Sequence, residues 1–105
     1  MIPEIDIDTF AERREAGEAV IDVREADEYA EAHVPGAVLI PLSELAERVD
    51  DVPQGSVLVI CKSGARSLKA AEYLAGFGRL ATNVAGGTMA WITSGREVVS
   101  GMERG

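Results

Sequence analysis

The 105 residues include one cysteine, one histidine, one tryptophan and four prolines, and each scarcity excludes something. A lone cysteine closes no internal disulfide. One cysteine with one histidine also falls short of the three or four protein ligands of a zinc site. No metal is therefore expected, and any chemistry at Cys61 is thiol chemistry. Long apolar runs are missing too: the longest, Val57 to Cys61, is far below the roughly 20 residues that cross a bilayer. Met1 to Phe10 carries Glu4, Asp6 and Asp8 where a secretory leader carries bases. The expected location is cytoplasmic, with no membrane partner. Bases are few overall, 10 Lys and Arg against 18 Asp and Glu, and a net charge of −8 repels a phosphate backbone. Nucleic acid is not an expected partner. What is present, 47% hydrophobic and 27% charged residues, is the composition of a soluble chain able to bury a core. Its length fits one domain over residues 1–105.

The charge is unevenly placed. Up to Asp51 the chain has fifteen acids and four bases, and beyond it three acids and six bases. Between Cys61 and Ala71 the only charged side chains are Lys62, Arg66 and Lys69, so an anion near Cys61 meets favourable local electrostatics. Ala19 to Val23, Val38 to Ile40 and Val57 to Cys61 are short apolar runs without polar alternation, the pattern of strands covered on both faces. A weaker strand fits Ala81 to Val84. Helical spacing runs over Thr9 to Ala16 with Asp8 as N-cap, Ala26 to Ala32, Glu44 to Val49 after Ser43, Arg66 to Phe77, and Thr88 to Thr93. The stretch from Arg96 reads as a surface strand or a loosely held tail. Strands alternating with helices predict an α/β fold with a mainly parallel sheet.

Cys61 closes the most hydrophobic run and is followed by Lys62-Ser63-Gly64-Ala65-Arg66-Ser67, where helical periodicity begins. The thiol thus falls at a strand-to-helix junction. Ligands bind beyond the carboxyl ends of strands in open α/β sheets, and helix N-termini favour anions. Gly64 can take a positive φ at little cost, so the loop can curl until its N–H groups converge on one point. Such an environment stabilises thiolate over thiol, with Lys62 and Arg66 adding charge. Cys61 is therefore the candidate nucleophile.

The residues from Cys61 to Ser67 resemble the active-site loop of single-domain rhodanese sulfurtransferases. Val20-Ile21-Asp22-Val23-Arg24 with Glu28-Tyr29 is similar to that family's first signature. His33-Val34-Pro35-Gly36-Ala37 with Ile40-Pro41-Leu42 resembles its second, and Gly86-Gly87 with Ala90-Trp91 its closing motif. Ala32 stands where the family usually has glycine, a difference that concerns a turn. The resemblance implies a central, mainly parallel sheet of about five strands flanked by helices on both faces. It also implies transfer of sulfane sulfur from thiosulfate through a persulfide on Cys61 to cyanide in vitro or a thiol in vivo. Lys62, Ser63, Gly64, Ala65 and Arg66 would bind the donor, with no metal or organic cofactor. The alternative is a persulfide carrier or interaction module in a protein sulfur relay, with little thiosulfate turnover.

Related folds place phosphatase chemistry on loops that resemble Cys-X5-Arg. Here four residues separate Cys61 from Arg66 and none is acidic, so phosphate ester hydrolysis is not expected. His33 reads as a hydrogen-bonding turn residue and Trp91 as a core aromatic. Gly86-Gly87 reads as a close approach of the last helix to the cysteine loop. Asp22 and Arg24 could border the site, while Arg24 and Glu28 are equally spaced for an i,i+4 ion pair.

Overall fold

The computed structural model describes residues 1–105. Its strands are β1 (Glu4–Ile5), β2 (Ala19–Asp22), β3 (Val38–Leu39), β4 (Ser56–Ile60) and β5 (Leu80–Val84). The helices are α1 (Ile7–Glu15), α2 (Ala26–Glu31), α3 (Ala65–Ala75) and α4 (Gly87–Thr93), with 3-10 turns over Leu42–Glu47 and Val49–Asp51. All strand pairs are parallel, in the order β1-β5-β4-β2-β3. The apolar β4, with Cys61 directly after it, lies at the centre.

The lack of polar alternation in the strands has a direct cause: the sheet divides the core into two layers. Ile21, Val57, Val59 and Cys61 pack on one side with Ala70, Ala71 and Leu74 of α3 and with Leu45 of the first 3-10 turn. Val20, Leu58 and Ile60 face the other side, against Phe10 of α1, Tyr29 of α2 and Trp91 of α4. Successive side chains on a strand point to opposite faces. Both faces are covered here, so both sets are apolar.

Four expectations are corrected or completed. Asp6, not Asp8, caps α1, its carboxylate accepting from Thr9 N–H at 2.8 Å; Asp8 sits in the first turn, where the helix dipole favours its charge. The segment after Ser43 is a 3-10 turn rather than an α-helix, and the Ser43 hydroxyl donates to Glu25 at 3.1 Å instead of capping it. The fifth strand is β1, which the acidic N-terminal stretch concealed. It pairs with β5, Glu4 opposite Asn83 and Ile5 opposite Val84. The tail from Arg96 is tied rather than loose: Val99 and His33 exchange two backbone hydrogen bonds at 2.9 Å, and Glu97 O accepts from the Trp91 indole at 2.7 Å.

Candidate active site

Cys61 leaves the carboxyl end of β4 and is 1% exposed. Gly64 turns the loop with φ +110°, a region open to glycine at little cost. That turn aims Gly64 N–H at Cys61 Sγ, 3.1 Å away, while the Ser67 hydroxyl from the first turn of α3 lies 3.2 Å from the same sulfur. Burial alone pushes the thiol up. The Ser67 hydroxyl and the Ser67, Gly64 and Ser63 amides outweigh it and leave Cys61 below its ordinary value. No imidazole or carboxylate takes part in this: the thiolate is stabilised by donors rather than generated by a base.

The loop carbonyls are fixed from the other side. Thr88 N–H donates to Cys61 O at 2.9 Å and Met89 N–H to Lys62 O at 3.1 Å, so the start of α4 clamps the backbone around the cysteine. The approach is so close that a Cβ on Gly87 would fall 2.5 Å from Cys61 O and 2.7 Å from Lys62 C. The close approach read from Gly86-Gly87 is present, and Gly87 is the residue that makes it.

Arg66 is not free to face the sulfur with its full charge. Its guanidinium grips Glu28 of α2 through two bonds of 2.7 and 2.9 Å. This hydrogen bonding holds the Glu28 carboxyl down to about 2, against the opposing effect of partial burial. The spacing-based ion pair between Arg24 and Glu28 does not form. Arg24 instead binds Asp22, with Nη2 2.8 Å from Oδ2, and donates to Ala32 O at 2.8 Å. Lys62 is exposed and makes no ion pair. It lines a cleft of about 180 Å³ between α2 and α4, together with Arg24, Glu31, Thr88 and Met89. The cleft opens beside the cysteine loop, and its floor holds the buried Thr88 hydroxyl, which has no hydrogen-bond partner in the protein.

The loop residues named from sequence thus come together around one sulfur, but unequally. Ser63 and Gly64 contribute N–H groups to it, Lys62 faces the cleft, and Ala65 and Arg66 make no hydrogen bond to Sγ. Two residues escaped the sequence reading. Ser67, quoted there as the end of the loop, is a direct partner of the sulfur. Asn83, buried on β5, accepts from Ser67 and donates to Gly64 O at 3.1 Å. The signal for Asn83 was a lone amide inside an apolar strand, where an unpaired polar group is costly. His33 is buried and stacked on Tyr29, with its ring nitrogens 2.8 and 2.7 Å from the carbonyls of Tyr29 and Glu103. Trp91 packs edge-on against Phe10. Both are structural.

A parallel α/β sheet with a buried cysteine at the end of its central strand, cradled by amides at a helix start, defines a class of thiolate-loop proteins. Within that class the chain belongs to the rhodanese-like domain family, whose model matches residues 6–94. It is 40% identical over 74 residues to the putative sulfur carrier protein YrkF of Bacillus subtilis, spanning 40% of that protein's length and 68% of its own. It is 41% identical over 75 residues to the thiosulfate sulfurtransferase PspE of Escherichia coli, 72% of that protein's length and 69% of this chain. Among solved structures, a rhodanese-related protein from Thermoplasma volcanium superimposes with a TM-score of 0.87 at 33% identity, covering 96% of this chain and 99% of the other.

Proposed function

We propose that residues 1–105 act as one sulfurtransferase unit that moves sulfane sulfur through a persulfide on Cys61, with thiosulfate as donor. The reading is carried by the convergence of a hydroxyl and backbone amides on the Cys61 sulfur, with no base in reach. In the first half-reaction Sγ attacks the outer sulfur of thiosulfate. A new sulfur–sulfur bond forms, the old one breaks, and its electron pair leaves with sulfite. The persulfide keeps one negative charge, and no proton is gained or lost. In the second, a thiol acceptor, or cyanide in vitro, takes the outer sulfur and returns Cys61 to the thiolate.

Loop N–H groups already pointing at the sulfur need no reorganisation to stabilise anionic sulfur there, in the manner of an oxyanion hole. Lys62 at the mouth of the cleft attracts the dianion. Because Cys61 is 1% exposed, the site selects for a compact donor whose outer sulfur reaches down the loop. The likeness to the thiosulfate sulfurtransferase PspE supports thiosulfate. The likeness to the putative sulfur carrier YrkF favours a second reading, in which Cys61 receives its persulfide from a partner protein and delivers it with little thiosulfate turnover.

Intact-protein mass spectrometry after incubation with thiosulfate tests the first reading. One added sulfur atom is expected, removed by cyanide with formation of thiocyanate and absent in Cys61→Ser. A protein that stays unmodified by thiosulfate yet accepts sulfur from a persulfidated protein supports the carrier. Loading of Cys61→Ser overturns the choice of nucleophile.

A further inference from the structure

The Ser67 hydroxyl stands between two acceptors. Its oxygen is 3.2 Å from Cys61 Sγ and 2.5 Å from Asn83 Oδ1, and it has one proton to give. The orientation of Asn83 is fixed by its other contacts. Nδ2 donates to Glu4 Oε2 at 2.8 Å and to Gly64 O at 3.1 Å, two groups that only accept, so Oδ1 must be the atom facing Ser67. Ser67 and Asn83 are both 0% exposed, and solvent does not supply a second proton. The location of the single proton therefore depends on the charge of the sulfur. A thiolate takes it, because a hydrogen bond to a charged group is the stronger one. A neutral Sγ, whether the thiol or the inner sulfur of a persulfide, leaves the hydroxyl donating to Asn83 Oδ1.

We propose that the Ser67 hydroxyl is a two-position switch, turned toward Asn83 while Sγ is neutral and toward Sγ when it is charged. Asn83 is the positioning residue whose Oδ1 accepts the hydroxyl's hydrogen bond in the meantime. The consequence for sulfur transfer rests on the function proposed above. When cyanide attacks the outer sulfur of the persulfide, a carbon–sulfur bond forms and the bond to Sγ breaks. The electron pair stays on Sγ, and the products are thiocyanate and the Cys61 thiolate, with no proton exchanged. Ser67 then turns from Asn83 to the leaving sulfur as its charge appears. In loading, Sγ spends its electron pair on the outer sulfur of thiosulfate, and the hydroxyl turns back. Asn83 thereby favours the two neutral-Sγ states, and Ser67 the charged one.

The charged groups around the sulfur are Lys62 in the loop, Arg66 of α3 with Glu28 of α2, Asp22 at the end of β2 with Arg24 just beyond it, and Glu4 of β1 beyond Asn83. All of them keep their partners when Ser67 is varied; Asn83→Leu also releases Glu4, an effect that is the same with or without the Ser67 hydroxyl. The test is a double-mutant cycle read on the pH midpoint of Cys61 alkylation by iodoacetamide, in the free protein without any sulfur donor. Ser67→Ala removes the donor to the thiolate and raises the midpoint by about one pH unit. Asn83→Leu removes the competing acceptor and lowers it by about half a unit. The double variant coincides with Ser67→Ala, because Asn83 acts through the hydroxyl. Equal shifts from Asn83→Leu in both backgrounds would mean that it acts through Gly64 or Glu4 and not through the hydroxyl, and the switch is overturned.

A second measurement needs no Asn83 variant. In the wild type the Asn83 side-chain amide resonances titrate with the Cys61 midpoint, in Ser67→Ala they lose that response, and in Ser67→Thr they regain it. No titration in the wild type, or an undiminished one in Ser67→Ala, overturns the switch. Failure of thiosulfate to load the wild type counts against the proposed function alone, since the alkylation cycle uses no thiosulfate.

Discussion

Gly87→Ala is expected to damage the cysteine loop from the opposite side of the backbone, and Gly36→Ala isolates the part of the effect that is only conformational. Both glycines have positive φ, +56° at Gly87 and +90° at Gly36, and an alanine in either pays about 1–2 kcal/mol for the left-handed backbone. Around Gly36 a new Cβ meets nothing within 4 Å, so its cost ends there. At Gly87 the Cβ would lie 2.5 Å from Cys61 O and 2.7 Å from Lys62 O. Those are backbone atoms that cannot rotate away, and α4 must lift off the loop. That adds roughly 1–3 kcal/mol of overpacking. It also strains the hydrogen bonds from Thr88 and Met89 N–H to the Cys61 and Lys62 carbonyls, each worth about 0.5–1.5 kcal/mol. The expected losses are about 3–8 kcal/mol for Gly87→Ala and about 1–2 for Gly36→Ala, read as urea midpoints at a common slope. Only Gly87→Ala should also shift the pH midpoint of Cys61 alkylation. Equal losses from the two substitutions, or an unshifted thiol in Gly87→Ala, would refute the clamp.

Two further outcomes are expected. Glu28→Gln removes a carboxylate that Arg66 holds near 2, below the usual value of about 4.3 in the unfolded chain. A depressed carboxyl contributes stability that is present above about pH 4.3 and lost as pH falls toward 2. The pair is partly solvent-exposed, so about 1 kcal/mol is expected. Calorimetry should then show the variant melting roughly 4–8 °C lower at neutral pH and level with the wild type near pH 2; a gap that persists in acid would rule the pair out as its source. Lys62→Gly should weaken thiosulfate kcat/KM about 2- to 5-fold, the scale of an exposed charge interaction. The loss should shrink with added salt and be smaller with the monoanion 3-mercaptopyruvate. An equal loss with both donors would mark Lys62 as a bystander.

Much of this molecule is legible in the sequence because its chemistry and its core lie on the same element. Val57 to Cys61 is apolar throughout because β4 is central and covered twice, and the thiol marks where that strand ends. Gly64 shows where the chain turns. Strand β1 was hidden for the opposite reason: as a two-residue edge strand that itself contains Glu4 and lies between Pro3 and Asp6, it lacks the periodicity that identifies strands. The fate of Arg66 was not readable either. Spacing along a helix offers Arg24 to Glu28 as a pair, but Asp22, two residues before Arg24, takes that guanidinium, and Glu28 is left for Arg66 from α3. Asn83 was hidden because its partners come from two stretches of chain far from it in sequence, Glu4 near the start and Gly64 and Ser67 in the cysteine loop.

The sheet ends on both sides in a strand of two residues, Glu4–Ile5 at one edge and Val38–Leu39 at the other, while its three inner strands are longer. An exposed edge is a template on which another chain can add a strand. At either margin here, a visiting strand would find only one or two backbone rungs before the chain turns away. The protein thus has little means of growing its sheet through a neighbour. Short edges of this kind protect against runaway stacking and make strand addition a poor route into a complex.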